Sequence, residues 1–191
     1  MNKWWYLIGL WCVLCLPLQA KETMSEMDNK DLEWLNEMID VHHLDVFENR
    51  GLLYYKYKMY SLAISDFTQA INNKFLSAYY NRGLCYLNLK QYKLALQDFD
   101  SVLEKDLHHY NALINRGFIY HRMEKYTFAL RDFSTVINIY RNDEYAHYLR
   151  GLSYYALELY QASKADLIQA CNKGYEEACE SLAPEYWVEP Q

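Results

Sequence analysis

Between residues 79 and 102 the apolar positions trace two helices with a break between them. Tyr79, Leu84, Tyr86 and Leu87 keep helical spacing, Lys90-Gln91-Tyr92 interrupts, and Leu94, Ala95, Phe99 and Val102 resume the period of about 3.6 residues. No segment sustains the period-two alternation of a half-buried strand, and Pro is absent between Pro17 and Pro184. The pattern predicts helix, turn, helix, and it predicts it more than once.

Asn-Arg-Gly stands at Asn49-Arg50-Gly51, Asn81-Arg82-Gly83 and Asn115-Arg116-Gly117, with Leu149-Arg150-Gly151 as an altered fourth copy. The glycines are spaced by 32, 34 and 34 residues. Behind each Gly run fixed columns: Tyr54, Tyr86, Tyr120, Tyr154; then Tyr60, Tyr92, Tyr126, Tyr160; then Ala63, Ala95, Ala129, Ser163. Asp66, Asp98, Asp132 and Asp166 follow, each with a large apolar neighbour (Phe67, Phe99, Phe133, Leu167), and Ala70, Val102, Val136 and Ala170 close the unit. Small residues let two backbones approach, and aromatics fill the space between successive hairpins. One hairpin cannot bury both its faces, so the copies are expected to stack.

These columns resemble the tetratricopeptide repeat family from about Leu44 to Tyr175. The family's first-helix Gly and Tyr fall on Gly83 and Tyr86, and its second-helix Ala, aromatic and Ala fall on Ala95, Phe99 and Val102. The Pro that often closes a repeat is missing, and Arg replaces the usual apolar residue before Gly. The resemblance implies an all-α, α-α superhelix (solenoid) of four tandem helical hairpins at 44–75, 76–109, 110–143 and 144–177. Capping helices are expected within 21–43 and 178–191. In the first, Leu32, Leu35, Met38 and Ile39 keep helical spacing and Asp28 is placed to cap the start; Glu176 to Leu182 reads as a short solvating helix before Pro184. The tail Glu185-Tyr186-Trp187-Val188 either folds back on the last repeat or stands free as an aromatic hook.

Folding each hairpin back on itself brings its Arg level with the Asp sixteen residues on. Four pairs are therefore expected: Arg50–Asp66, Arg82–Asp98, Arg116–Asp132 and Arg150–Asp166. If exposed, each contributes about 0–1 kcal/mol. The alternative is a row of arginines gripping an anionic ligand.

Residues 1–20 read as a signal peptide, with Lys3 as the positive end, an apolar run from Trp4 to Leu18, and Ala20 at the cleavage point. Fifteen helical residues reach about 22 Å, short of the ~30 Å hydrocarbon core. A retained membrane anchor, or lipidation at Cys12 or Cys15, is the alternative. The expected destination is the bacterial periplasm or the exterior. Export permits disulfides. Cys171 and Cys179 flank the turn-like Asn172-Lys173-Gly174 and are expected either to bridge or to be two small buried residues; Cys85 reads as a buried small residue.

Composition adds exclusions. The charge is −6 with no cluster of Lys or Arg, which argues against nucleic acid. No Gly-rich phosphate loop, Gly-x-Ser-x-Gly elbow or His-Glu-x-x-His pair is present, so neither catalysis, a cofactor nor a small-molecule substrate is expected. The pairs His42-His43 and His108-His109 fall at inter-helix turns and point too far apart for one metal, so no metal site is expected.

The resemblance further implies a groove lined by first helices. Asp45, Glu48, Leu52, Tyr55 and Lys56 would begin it, followed by Ser77, Tyr80, Leu84, Leu87 and Asn88. Asn111, Ile114, Phe118, His121 and Arg122 come next, and Tyr145, Tyr148, Leu152, Tyr155 and Ala156 end it. Exposed tyrosines offer contact area at low entropic cost. The expected function is a non-catalytic cell-envelope scaffold holding a partner's peptide or helix. The alternative is a structural protein that self-associates through its aromatic C-terminal end.

Overall fold

The computed structural model describes residues 26–39, 45–141 and 143–183. The leader, His42-His43 and the tail from Pro184 lie outside the described residues. All regular structure among the described residues is helical: α1 (Glu26–Ile39), α2 (Val46–Lys56), α3 (Tyr60–Asn72), α4 (Ser77–Asn88), α5 (Tyr92–Lys105), α6 (Tyr110–Arg122), α7 (Tyr126–Ile139), α8 (Glu144–Ala156), α9 (Tyr160–Asn172) and α10 (Glu176–Glu180). The chain forms two compact units, one up to Asp98 and one from Phe99, with the boundary inside α5.

In the first unit Leu32, Tyr54, Ala63, Phe67, Ala70, Ala78 and Cys85 form a buried core. Gly51 is a contact requirement: a Cβ there would lie 2.7 Å from Cε1 of Phe67. The second unit repeats the device: a Cβ on Gly117 would lie 2.7 Å from Cε1 of Phe133. Leu replaces Phe in the last hairpin, where a Cβ on Gly151 would lie 3.1 Å from Cγ of Leu167.

Each hairpin turns through one residue in the left-handed region, and that residue is Lys58, Lys90, Glu124 or Glu158, with φ between 58° and 61°. The amide beyond it donates five residues back: Met59 to Tyr54, Gln91 to Tyr86 and Lys125 to Tyr120, each at 2.8 Å, and Leu159 to Tyr154 at 3.0 Å. This is the Schellman closure, in which the last carbonyls of a helix find donors. The first Tyr column therefore supplies a ring to the packing and a carbonyl to the turn.

The unequal repeat spacing has a local cause. Ala78 follows Ala70 by eight residues, through a tight turn with Lys74 at φ 69° and Phe75 N–H donating to Ala70 O. Ala112 and Ala146 follow Val102 and Val136 by ten, because the next helix starts on a side-chain cap. His109 Nδ1 accepts from Ala112 N–H, and Asp143 Oδ1 accepts from Ala146 N–H. After Ala170 the tight turn returns, now with Gly174 at φ 93°. Ala178 then occupies the Ala78 position, so α10 is the opening of a fifth first helix and begins two residues before the boundary drawn at 177/178.

All four Arg–Asp pairs form, each as a two-pronged grip with Nε and Nη2 donating to the two carboxylate oxygens at 2.6–2.9 Å. The pairs are not exposed, since the aspartates are only 2–5% accessible to solvent. Burial pushes the carboxyls of Asp66, Asp98 and Asp132 up, against the downward pull of the guanidinium forks. The same hydrogen bonds push Arg82, Arg116 and Arg150 up. Each remaining Nη1 reaches back to the preceding helix: Asn36 for Arg50, Thr68 for Arg82, Asp100 for Arg116 and Ser134 for Arg150. The arginine thus fixes a hairpin internally and ties it to the helix before it, with α1 in the place of a preceding second helix.

Asp28 does not cap α1, which begins two residues earlier. Its carboxylate accepts from Lys56 Nζ at 2.8 and 2.9 Å and from the Tyr57 hydroxyl, because it faces the end of α2. Cys171 and Cys179 are joined with Cα atoms 4.8 Å apart, and Cys85 is free and buried.

Candidate partner-binding surface

In the first unit, the first-helix face presents Leu52, exposed, with Tyr55, Tyr80, Leu84 and Leu87 half-buried. Tyr55 and Tyr60 meet edge to face at 5.7 Å. Asn88 joins them, donating to Tyr55 Oη at 3.3 Å and accepting from the Tyr60 hydroxyl at 3.1 Å. Asn81 donates to Glu48 at 3.5 Å and Asn115 to the Asn111 carbonyl.

In the second unit one groove assignment is corrected. Ile114 is 6% exposed and belongs to the core with Ala112 and Leu113. A branched aliphatic lacks the polar tip by which Tyr80 and Tyr148, in the same column, keep contact with water. Phe118 is half-buried, and Arg122 is exposed in the last turn of α6, where a cation suits the helix dipole. His121 Nδ1 is 2.9 Å from Ser153 Oγ. Burial, aided by the charge of Arg122, pushes the pKa of His121 down.

Tyrosines concentrate at the C-terminal end of this unit. Tyr145 and Tyr155 are exposed by 37% and 45%. Tyr175 lies 5.8 Å from Tyr145 and 4.8 Å from Tyr148, and Tyr155 meets Tyr160 at 5.5 Å. Beside them opens a cleft of about 370 Å³. It is lined by Tyr148, Leu152 and Tyr155 of α8 and Leu167 of α9, and Glu177, Glu180 and Ser181 form its α10 wall. The disulfide anchors that wall, since Cys179 lies between the two glutamates.

Sequence reasoning missed Tyr175 and the α10 wall. The signal was the likeness of Gly174-Tyr175 to Lys74-Phe75, which marks a fifth first helix and makes its face part of the surface. Tyr145, Tyr148, Leu152 and Tyr155 are brought together; Tyr80 and Leu84 belong to the other unit. Among the described residues no group of three or more His, Cys, Asp or Glu is placed to hold a metal ion, and no helix is long and apolar enough to cross a membrane.

Residues 77–109 match the model of the tetratricopeptide repeat. No curated protein matches the chain significantly. Among solved structures, YrrB, described as a TPR protein with an unusual peptide-binding site, is similar at TM-score 0.71 and 20% identity, over 80% of this chain and 84% of its own. MamA is similar at TM-score 0.70 and 16% identity, over 76% of this chain and 87% of its own. A structure of MamA from residue 41 onward, from Desulfovibrio magneticus RS-1, gives 0.66 and 19%, over 72% and 89%. Residues 77–109 are thus a tetratricopeptide repeat, and these likenesses give the chain the all-α superhelical fold of tetratricopeptide-repeat proteins.

Proposed function

We propose that the chain is a non-catalytic protein–protein interaction scaffold, exported to the bacterial cell envelope, that holds a partner's peptide or helix on its first-helix faces. The carrying observation is the cleft of the second unit, where Tyr148 and Tyr155 stand over an apolar floor. Aromatic side chains around a desolvated pocket are the usual anchors of protein interfaces. The apolar run and Ala20 of the leader support export, and a Cys171–Cys179 bridge suits an oxidising compartment. The unusual peptide-binding site described for YrrB supports a peptide as partner.

The test is cross-linked capture from the envelope fraction with the native protein and a Tyr148→Ala/Tyr155→Ala variant whose helicity by circular dichroism is unchanged. A partner retained by the first and lost by the second is expected. Equal capture by both removes the surface assignment, and recovery of the chain alone points to self-association through the exposed tyrosines.

A further inference from the structure

The α10 wall of the cleft is chemically unlike the rest of the surface. Glu177 and Glu180 lie three residues apart, on neighbouring positions of one helix face, and both line the cleft. Among the described residues neither carboxylate has a cationic partner. Glu177 is explained by helix stability, since an acidic residue suits the first turn. Glu180 is not: it stands at the carbonyl end of α10, where a negative charge opposes the dipole and no basic residue offsets it. The same cleft is lined by the rings of Tyr148 and Tyr155 and by Leu152 and Leu167.

We propose that this cleft seats a single basic side chain, arginine in preference to lysine, projecting from the partner peptide. The inference rests on the scaffold reading and specifies the chemistry of its partner. Three features of the walls match three parts of such a side chain. Leu152 and Leu167 cover the aliphatic stem, which long basic residues bury readily. Tyr148 and Tyr155 supply aromatic rings for the cationic head. Glu177 and Glu180 supply the counter-charge, and the planar guanidinium can stack on a ring while its edge donates two parallel hydrogen bonds to a carboxylate, a geometry that a compact ammonium does not offer. The volume of about 370 Å³, near the lower limit of the ~300–1,000 Å³ of ligand clefts, suits one long side chain. An acidic or purely apolar peptide would leave the two carboxylates facing like charge or no charge at all.

The experiment uses purified protein labelled with ¹³C at tyrosine, titrated with N-acetyl-arginine amide and with its neutral isostere N-acetyl-citrulline amide. Saturable shifts of the Tyr148 and Tyr155 ring signals are expected with the arginine derivative, with at least about ten-fold weaker binding of citrulline. A Glu177→Gln/Glu180→Gln variant, altering two exposed residues, should erase the difference. An equal response to both probes, or a preference that survives the variant, overturns the inference. Capture from the envelope fraction separates the two layers of the argument. Capture lost with Tyr148→Ala/Tyr155→Ala but kept with Glu177→Gln/Glu180→Gln leaves the scaffold surface standing and rejects the cation. Capture that survives both variants removes the surface and this inference with it.

Discussion

Arg116 holds Asp132 through two parallel hydrogen bonds of 2.8 and 2.7 Å, around a carboxylate almost closed off from solvent. The pair differs from a surface ion pair in the cost of breaking it. Removing the arginine strands a buried carboxylate, and such a loss costs about 3–5 kcal/mol. It also releases Asp100 of the preceding helix, so two levels of the stack loosen together. Arg116→Ala should therefore lower the urea midpoint strongly, whereas an Arg116→Met/Asp132→Leu double variant should recover most of the loss. A double variant as unstable as the single one would show that the pair is needed for more than neutralising its own buried charge.

The turns predict a gain instead. Glu124 adopts φ 60°, a conformation that disfavours side chains with a Cβ and that glycine enters freely. Its neighbours already make the closing hydrogen bond from Lys125 N–H to Tyr120 O. Glu124→Gly should stabilise by about 0.5–1 kcal/mol after the entropic cost of glycine is subtracted. A thermal midpoint raised by about 2 °C checks this, and a lower midpoint would mean that the Glu124 side chain makes a compensating contact.

Those turns also mark where the sequence stopped being readable. The Gly, Ala and Phe columns showed themselves because close packing admits few residue types, as Gly51 against Phe67 illustrates. Arg50 and Asp66 were legible because hairpin geometry sets sixteen residues level. Lys58, Lys90, Glu124 and Glu158 were not, since the Schellman closure is made of backbone and tolerates any side chain at a modest cost. The reach of Arg50 to Asn36 and of Arg150 to Ser134 was hidden for a related reason: Asn36, Thr68, Asp100 and Ser134 share only an oxygen acceptor. In the site, Tyr145, Tyr148 and Tyr155 could be named from the first-helix register. Their partner wall could not, because Glu176 to Leu182 reads as a short solvating helix in sequence, and only the buried Ala178 shows that α10 keeps the register of a fifth repeat.

His121 gives the second unit a pH dependence of known sign. Burial and Arg122 hold its folded pKa below the ordinary value of 6.5, so the folded state favours the neutral ring. A group of this kind contributes stability that is present above its unfolded pKa and is lost as pH falls through its folded pKa. The urea midpoint of the native protein should fall more between pH 7.5 and pH 5 than that of His121→Gln, which has no proton to take up. Parallel falls would show that the imidazole beside Ser153 is free to charge in the folded state.

Reduction of Cys171–Cys179 should act on binding more than on the fold. In the chain-entropy model a loop of eight residues stabilises by about 2.5 kcal/mol. That term applies where the bridge is, on the five-residue α10 at the end of the described chain. The Arg150–Asp166 pair and the Leu167 contacts with Gly151 lie within the preceding hairpin and do not depend on it. Local opening of a terminal element costs less than global unfolding, so reduced protein should keep its helicity while amides around Cys179 exchange faster with solvent. Because Glu177 and Glu180 ride on the released segment, the arginine probe should bind more weakly to reduced protein, and a Cys171→Ser/Cys179→Ser variant should match it. Unchanged probe affinity alongside faster exchange would show that the α10 wall contributes no counter-charge, leaving the tyrosines and leucines to bind alone.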